Sequence, residues 1–285
     1  MINIIYTILL FNILIIVFKN FEKYKADNLQ ALIVNYLTAA GCSYFFLEQG
    51  FSLNHVLNSE WLYHAMIIGT LFIIVFNFYA FGTQKVGIAV TTVANKMSLI
   101  IPVCAALILY PENNTFDALK GIAFFLALAG IYLSSTKGGK LSFDKKYLWL
   151  IILVFVGQGI SDSIFNDFAQ KFPNEGGYLF FMILFFMASI SGILILIGKS
   201  IKTKNKLQLK SIFWGVIFGV PNFFSLLFFL KALGSMSSSE VFPLVSMGVV
   251  VSSSLIGLLL FEEKLTKSNW IGISLSICAI YIFSF

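Results

Sequence analysis

Ten apolar segments, most of them about as long as a membrane-spanning helix, follow one another along this chain of 285 residues. A helix needs about 20 predominantly apolar residues to cross a hydrocarbon core of about 30 Å. Because 59% of the residues are hydrophobic and 11% are charged, a water-soluble domain is excluded. We therefore predict an all-α membrane protein with ten transmembrane helices. The predicted spans are residues 2–18, 29–47, 61–83, 87–109, 118–135, 147–169, 178–198, 212–232, 235–261 and 270–285.

The ten segments form a set of five that occurs twice. In each set a glutamate stands nine residues before the glycine of a Gly-Ile pair at the fifth segment: Glu112 precedes Gly121, and Glu263 precedes Gly272. With an odd number of spans per set, the second copy enters the bilayer from the opposite side, which gives the inverted symmetry of many secondary transporters. The prediction is thus two inverted five-helix repeats, residues 1–136 and 147–285, joined by a polar linker at 137–146.

The basic residues are all lysines, and they are distributed unevenly among the loops. Fifteen of the nineteen lie in loops after odd-numbered segments, whereas Lys120, Lys171 and Lys231 follow even-numbered ones and Lys96 lies inside the fourth. Cytoplasmic loops retain Lys and Arg. Both termini are therefore predicted to lie outside a bacterial inner membrane, with the linker in the cytoplasm. The same rule explains the lysine-rich stretch at 199–210 without a nucleic-acid partner.

Two tight connections, between segments three and four and between eight and nine, strengthen the repeat. Asn77-Phe78-Tyr79 in the third segment also has a loose counterpart in Asn222-Phe223-Phe224 of the eighth. With its length and its two Glu-containing turns, the chain resembles the ten-helix EamA-type members of the drug/metabolite transporter superfamily. The resemblance implies a bundle around a central cavity, lined mainly by spans 3, 4, 8 and 9 and by parts of spans 1 and 6.

The resemblance also implies a secondary transporter that moves small metabolites, amino-acid-like compounds or amphipathic drugs by alternating access, with export the commoner direction. One family mechanism does not carry over. The small four-helix members exchange protons on a glutamate in their first helix, where this chain has only Asn3, Thr7 and Asn12 as polar side chains. The coupling species, a proton or another ion, therefore needs a different residue.

Polar residues inside the spans are the candidates for a substrate site. A charge near the bilayer centre costs ~2.5–3.5 kcal/mol on insertion scales, so an ionisable residue there is expected to have a function and a partner. Lys96 lies nine residues into the fourth span and shares one side with two polar neighbours, and Asp162 does the same in the sixth. The predicted substrate-binding residues are Asn77, Thr92, Asn95, Lys96, Gln158, Asp162, Asn166, Asn222 and Glu240.

We expect Asp162 or Glu240 to neutralise Lys96, and substrate binding or protonation to break that pair. The structural alternatives are a lysine that snorkels or pairs statically, an Asp162 that only ties its helix to a neighbour, and a Glu240 that stabilises the first turn of its own helix. Pro102, in the fourth span, is expected to kink it, because proline removes a backbone hydrogen bond. Pro221 and Pro243 predict similar kinks in the eighth and ninth spans.

Enzymatic chemistry finds little support in the sequence. His55 and His64 have no cysteine partner and a spacing that suits no metal site. A phosphate-binding Gly-Lys-Ser/Thr loop is absent from the sequence, so ATP-driven pumping is unsupported. We predict no cofactor, and the partners are a small-molecule substrate and the lipid bilayer, with a homodimer left open. The alternative functions are an integral membrane enzyme or flippase acting on a lipid or lipid-linked substrate, and a scaffold that transports nothing.

Overall fold

The computed structural model describes residues 1–47, 51–86, 88–114, 116–135, 145–173, 175, 177–202, 207–261 and 265–283. Throughout these ranges the regular structure is helical, without strands. The helices are α1 (Ile2–Lys23), α2 (Asn28–Phe45), α3 (Leu53–Leu57), α4 (Leu62–Lys85), α5 (Ile88–Met97), α6 (Ile100–Leu109), α7 (Ala118–Ser135), α8 (Leu148–Lys171), α9 (Gly177–Lys202), α10 (Leu209–Leu233), α11 (Ser238–Phe261) and α12 (Lys267–Phe283). Short 3-10 turns occupy Pro111–Asn113 and Lys145–Tyr147.

Six segments are long and apolar enough to cross a membrane, and they confirm a multi-pass membrane protein. They are Leu62–Gly82, Thr91–Leu109, Leu148–Lys171, Gly177–Lys199, Leu209–Leu233 and Ser238–Leu259. Shorter apolar helices cover Ile2–Phe18, Ala118–Ser134 and Lys267–Phe283. The count of ten spans stays a prediction. Of the predicted landmarks, Glu112 lies in an exposed 3-10 turn, while Glu263 and residues 137–144 of the linker fall outside the described residues.

The fourth predicted span is not one continuous helix, because α5 ends at Met97 and α6 begins at Ile100. Pro102 explains the break, since it has no amide hydrogen to donate to the carbonyl of Ser98 and its ring displaces that carbonyl. The Ser98 carbonyl instead accepts a hydrogen bond from the Ile101 amide at 2.9 Å. Pro221 and Pro243 lie inside helices that continue through them. The break therefore falls directly after Lys96.

Helices from the first and second halves of the chain interleave throughout the bundle. Helix α2 packs against α9 and α10, α4 against α8 and α9, α1 against α10 and α11, and α7 against α12. Each helix of the first half can be replaced by the helix at the same place in the second half, and the reverse. Under this exchange the α4–α9 contact becomes the α10–α2 contact, and the α4–α8 contact becomes the α10–α1 contact. Likewise, the contact of α1 with α11 corresponds to that of α8 with the broken helix α5–α6.

Glycines set how closely several of these helices approach. A Cβ atom on Gly69 of α4 would lie 2.2 Å from a backbone carbonyl oxygen of α9, and one on Gly215 of α10 would lie 2.6 Å from a carbonyl oxygen of α2. Between α7 and α12, Gly130 and Gly272 meet in the same way. Small residues allow backbones in membranes to touch, which compensates for the weak hydrophobic drive between helices surrounded by lipid.

Candidate substrate site between α5 and α8

Five of the predicted site residues, three on α5 and two on α8, lie on helices that contact each other. Asn95 Nδ2 donates a hydrogen bond to Gln158 Oε1 at 3.1 Å, and Gln158 Nε2 donates to Asp162 Oδ1 at 2.9 Å. A side-chain amide can accept a hydrogen bond on its oxygen while it donates one from its nitrogen, so Gln158 connects Asn95 to the Asp162 carboxylate. We call this set the central cluster, and its members are Thr92, Asn95, Lys96, Gln158 and Asp162.

Lys96 lies on the last turn of α5 and is partly buried. Its Nζ atom is 6.0 Å from the centroid of the Phe11 ring on α1, within the range of a cation–π contact. Lys96 directly follows Asn95, whose chain of hydrogen bonds ends at Asp162, but no direct ion pair joins Lys96 and Asp162 in the part of the chain that the structure describes. Neutralisation of Lys96 by Asp162 stays a prediction.

A tyrosine and an asparagine from α4 extend the polar surface beside α5. The Tyr79 hydroxyl lies 2.9 Å from Thr92 Oγ1, so one of these hydroxyls donates to the other. Asn77 Nδ2 donates to the Ile73 carbonyl of its own helix at 2.7 Å. The Asn77 amide group is therefore engaged within α4, whereas Tyr79 connects α4 to the central cluster.

Asn166, which was grouped with the site from its helix face, and Asn222, which was grouped as the counterpart of Asn77, connect other helices. Asn166 is 2% exposed, and its Oδ1 atom accepts from the Ser238 hydroxyl at the start of α11 at 2.5 Å. Asn222 Nδ2 of α10 donates to Asn35 Oδ1 of α2 at 3.0 Å. Polar pairs of this kind hold helices together inside a bilayer. A role for either residue in binding substrate stays a prediction.

A second polar cluster lies nearer the C-terminal end of α8, and the sequence analysis did not single it out. Asp167 Oδ2 lies 2.7 Å from His64 Nε2 of α4 and 3.0 Å from Lys171 Nζ. Its other oxygen accepts from the hydroxyl of Tyr110, which directly follows α6. We call His64, Tyr110, Asp167 and Lys171 the Asp167 cluster. No spacing rule could reveal it, because His64 and Asp167 are 103 residues apart.

Burial, reinforced by the neighbouring Asp167 carboxylate, raises the pKa of the Tyr110 phenol. The phenol therefore keeps its proton below the ordinary tyrosine pKa of about 10 and remains a donor to Asp167 throughout the physiological range. Within the described residues, no group of three or more His, Cys, Asp or Glu side chains is arranged to hold a metal ion.

Residues 145–285 match the model of the EamA-like transporter family. Over 260 residues the chain is also 30% identical to an uncharacterized protein of Haemophilus influenzae, a match that covers 88% of this chain and 87% of that one. The chain belongs to the EamA-like transporter family. Proteins of this family are membrane transporters of the drug/metabolite type.

A solved structure shares the fold of this EamA-like protein over nearly its whole length. It is described as the crystal structure of a protein, and it superposes with a TM-score of 0.77 over 99% of this chain and 94% of its own. The sequence identity is 15%, so the likeness concerns the fold alone.

Glu240 of the EamA-like protein pairs with Lys120 of α7, not with Lys96. The two charged atoms, Lys120 Nζ and Glu240 Oε1, lie 2.5 Å apart, and the side chains are 17% and 18% exposed. Glu240 also lies in the first turn of α11, where a carboxylate is favoured by the helix dipole. Its position agrees with the structural alternative considered above, that of a stabilising first-turn residue.

We expect Glu240→Gln and Lys120→Met each to lower the free energy of unfolding by about 1.5–3 kcal/mol, because each removes a charged contact between two side chains that are less than one-fifth exposed. The double variant should lose less than the sum of the two single losses, since the partners interact directly. Thermal unfolding of the purified protein in detergent measures all three variants. Strictly additive losses would contradict the pairing.

Proposed function

We propose that this protein is a secondary transporter that moves a small metabolite, an amino-acid-like compound or an amphipathic drug across the bacterial inner membrane by alternating access, with export as its direction. One observation carries the proposal, namely that a chain of hydrogen bonds runs from Asn95, the residue before Lys96 on α5, through Gln158 to Asp162 on α8, inside two spans. Charges at this depth are costly and are retained where they face a substrate or ion pathway.

The broken helix supports this location for the site. Discontinuous helices in transporters commonly form the binding site near the bilayer midplane, with freed backbone groups directed at the substrate or the coupling ion. Irregular backbone at membrane depth is tolerated only where it is buried in protein or lines a wet cavity. The interruption between α5 and α6 starts within two residues of Lys96. Lys96 and Asp162 would then hold a substrate between the two halves of the chain.

We further propose that the chain consists of two inverted five-helix repeats, residues 1–136 and 147–285, with a cytoplasmic linker at 137–146 and both termini outside. Two observations support the division. The helix contacts recur when the halves are exchanged, and the family match begins at residue 145. In this arrangement α5 and α8 come from different repeats, so a rocking motion of one repeat against the other would change the distance between Lys96 and Asp162.

A charged substrate would change the electrostatic attraction within the central cluster. An anionic group would bind Lys96 and a cationic group would bind Asp162, and either would replace part of the attraction between α5 and α8. Protonation of Asp162 would weaken the same attraction, and this is the step at which a proton gradient would couple to transport. The polar relay from Asn95 through Gln158 fixes the orientation of the carboxylate during the exchange.

Flux through purified protein reconstituted into lipid vesicles tests the proposal. Pools of metabolites, amino acids and amphipathic drugs are screened for movement with and without an imposed proton gradient, against protein-free vesicles. We expect at least one class to move faster with protein present and to respond to the gradient. If no soluble compound moves while fluorescent lipids cross the bilayer, the flippase alternative replaces transport. If nothing moves, the scaffold alternative does.

A further inference from the structure

The Asp167 cluster connects three helix ends from the two halves of the chain. The carboxylate belongs to α8, near the C-terminal end of that helix. Two of its partners come from the first half, His64 from the start of α4 and Tyr110 from the residue that follows α6. The third partner, Lys171, lies one turn further along α8 and is 53% exposed. At 18% and 21% exposure, His64 and Asp167 are much less accessible.

This cluster lies between the central cluster and one end of the bundle. Asp167 is five residues beyond Asp162 on the same helix, which is about 7.5 Å along the helix axis. The start of α4, the end of α6 and the end of α8 meet here through the contacts of Asp167. Lysine distribution predicts that this end faces the outside.

Further hydrogen bonds between the two halves occur at the same end. Asn113 Nδ2 donates to Gln170 Oε1 at 2.9 Å, and the Ser239 amide donates to Asn114 Oδ1 at 3.1 Å. These bonds place the turn after α6 against α8 and against the start of α11. This end of the bundle is therefore closed by contacts that join residues before the linker to residues after it.

We propose that the Asp167 cluster is the gate at this end of the protein, a role that rests on the proposed transport function. Asp167 is the common acceptor, so His64 and Tyr110 lose their shared partner together when the carboxylate is withdrawn or neutralised. Hydrogen bonds to an ionised carboxylate are about twice as strong as neutral ones. One charge in the second half thus holds two helix ends of the first half.

The other carboxylates near the gate are placed differently from Asp167. Glu112 is exposed in the turn after α6. Glu175, which follows α8, is engaged by Trp61, whose Nε1 atom donates to Glu175 Oε2 at 2.5 Å. Lys171 adds to the positive charge around Asp167 from its own helix. Asp167 is therefore the carboxylate that holds His64 and Tyr110.

Cysteine accessibility in the full-length protein tests the gate directly. Cys42, Cys104 and Cys278 are replaced by alanine, and Thr92→Cys places one reactive thiol in the central cluster. A membrane-impermeant maleimide is then applied to intact cells and, separately, to inside-out vesicles. We expect Asp167→Asn and Tyr110→Phe to speed labelling from the Asp167 end by about tenfold, equivalent to about 1.4 kcal/mol in the balance of closed and open states.

Glu112→Gln is the matched control, because it removes a carboxylate at the same end and keeps every bond of the Asp167 cluster. It should label at the parental rate. Unchanged labelling in both Asp167→Asn and Tyr110→Phe, with both proteins monodisperse by gel filtration, overturns the gate. Equal acceleration from both sides also overturns it, since that is the behaviour of a loosened fold.

Labelling is independent of flux, so the gate and the transport function can fail separately. Faster labelling from the Asp167 end alone, in a protein that moves no compound, supports the closure and removes the transport assignment. Measurable flux together with unchanged labelling removes the gate and leaves the transport assignment standing. Tyr110→Phe keeps the ring and removes only the hydroxyl that donates to Asp167. The gate can therefore still be tested if Asp167→Asn fails to fold.

Discussion

Transport by the Lys96→Met variant should fall at least about 100-fold below that of the parent protein, a loss of about 2.8 kcal/mol in the interactions that drive the cycle. Methionine keeps the length and the apolar stem of lysine but removes the ammonium group. Asp162 would then lack the charge predicted to pair with it, and an uncompensated carboxylate inside a span is costly. The initial rate of gradient-driven flux in vesicles measures the effect.

Three further variants make this result specific to the central cluster. Asp162→Asn should reduce flux to a similar extent, and the double variant should not fall much further, because the two charges act as one unit. Lys231→Met removes a lysine that is exposed at the end of α10, and it should transport at the parental rate. Full flux in both Lys96→Met and Asp162→Asn would show that the central cluster does not bind substrate.

Gly69→Ala should produce a large loss of stability. The new Cβ atom would lie 2.2 Å from the Leu184 carbonyl oxygen and 3.1 Å from the Ala188 amide nitrogen, both of the α9 backbone. A backbone atom cannot rotate away as a side chain can, so α4 and α9 have to separate. Overpacking of this kind costs about 1–3 kcal/mol, and occasionally more.

Gly41→Ala is the matched control, since this glycine also lies in a helix but a Cβ atom added to it would meet nothing within 4 Å. It should be neutral or slightly stabilising, because alanine has the higher helix propensity by about 1 kcal/mol. Loss of monomeric protein on heating, followed by gel filtration in detergent, measures both variants. A similar midpoint for Gly69→Ala and Gly41→Ala would mean that α4 and α9 pack less closely than described.

The sequence predicted which polar residues share a helix face, and part of the candidate site follows from that alone. Spacings of three and four residues from Thr92 put Asn95 and Lys96 on one side of α5, and a spacing of four puts Gln158 and Asp162 on one side of α8, because the helical repeat is a local property. The same spacing also included Asn166 with the site, although its side chain binds Ser238 at the start of α11. A shared face does not tell which neighbouring helix packs against each part of that face along the helix axis.

Local composition determined that this chain crosses a membrane as helices, roughly where each apolar segment begins and ends, and that Lys96 and Asp162 lie inside spans. These properties depend on residues close together in the chain. Only the tertiary structure decided that the hydrogen bonds of Asn95 lead through Gln158 to Asp162, that Glu240 pairs with Lys120, and that Asp167 binds His64 and Tyr110. The partners on different helices are at least 57 residues apart, and they come from helices whose order in the bundle has no local signal. They meet because glycine-lined crossings and buried rings bring these helices together, and that steric fit belongs to the whole chain.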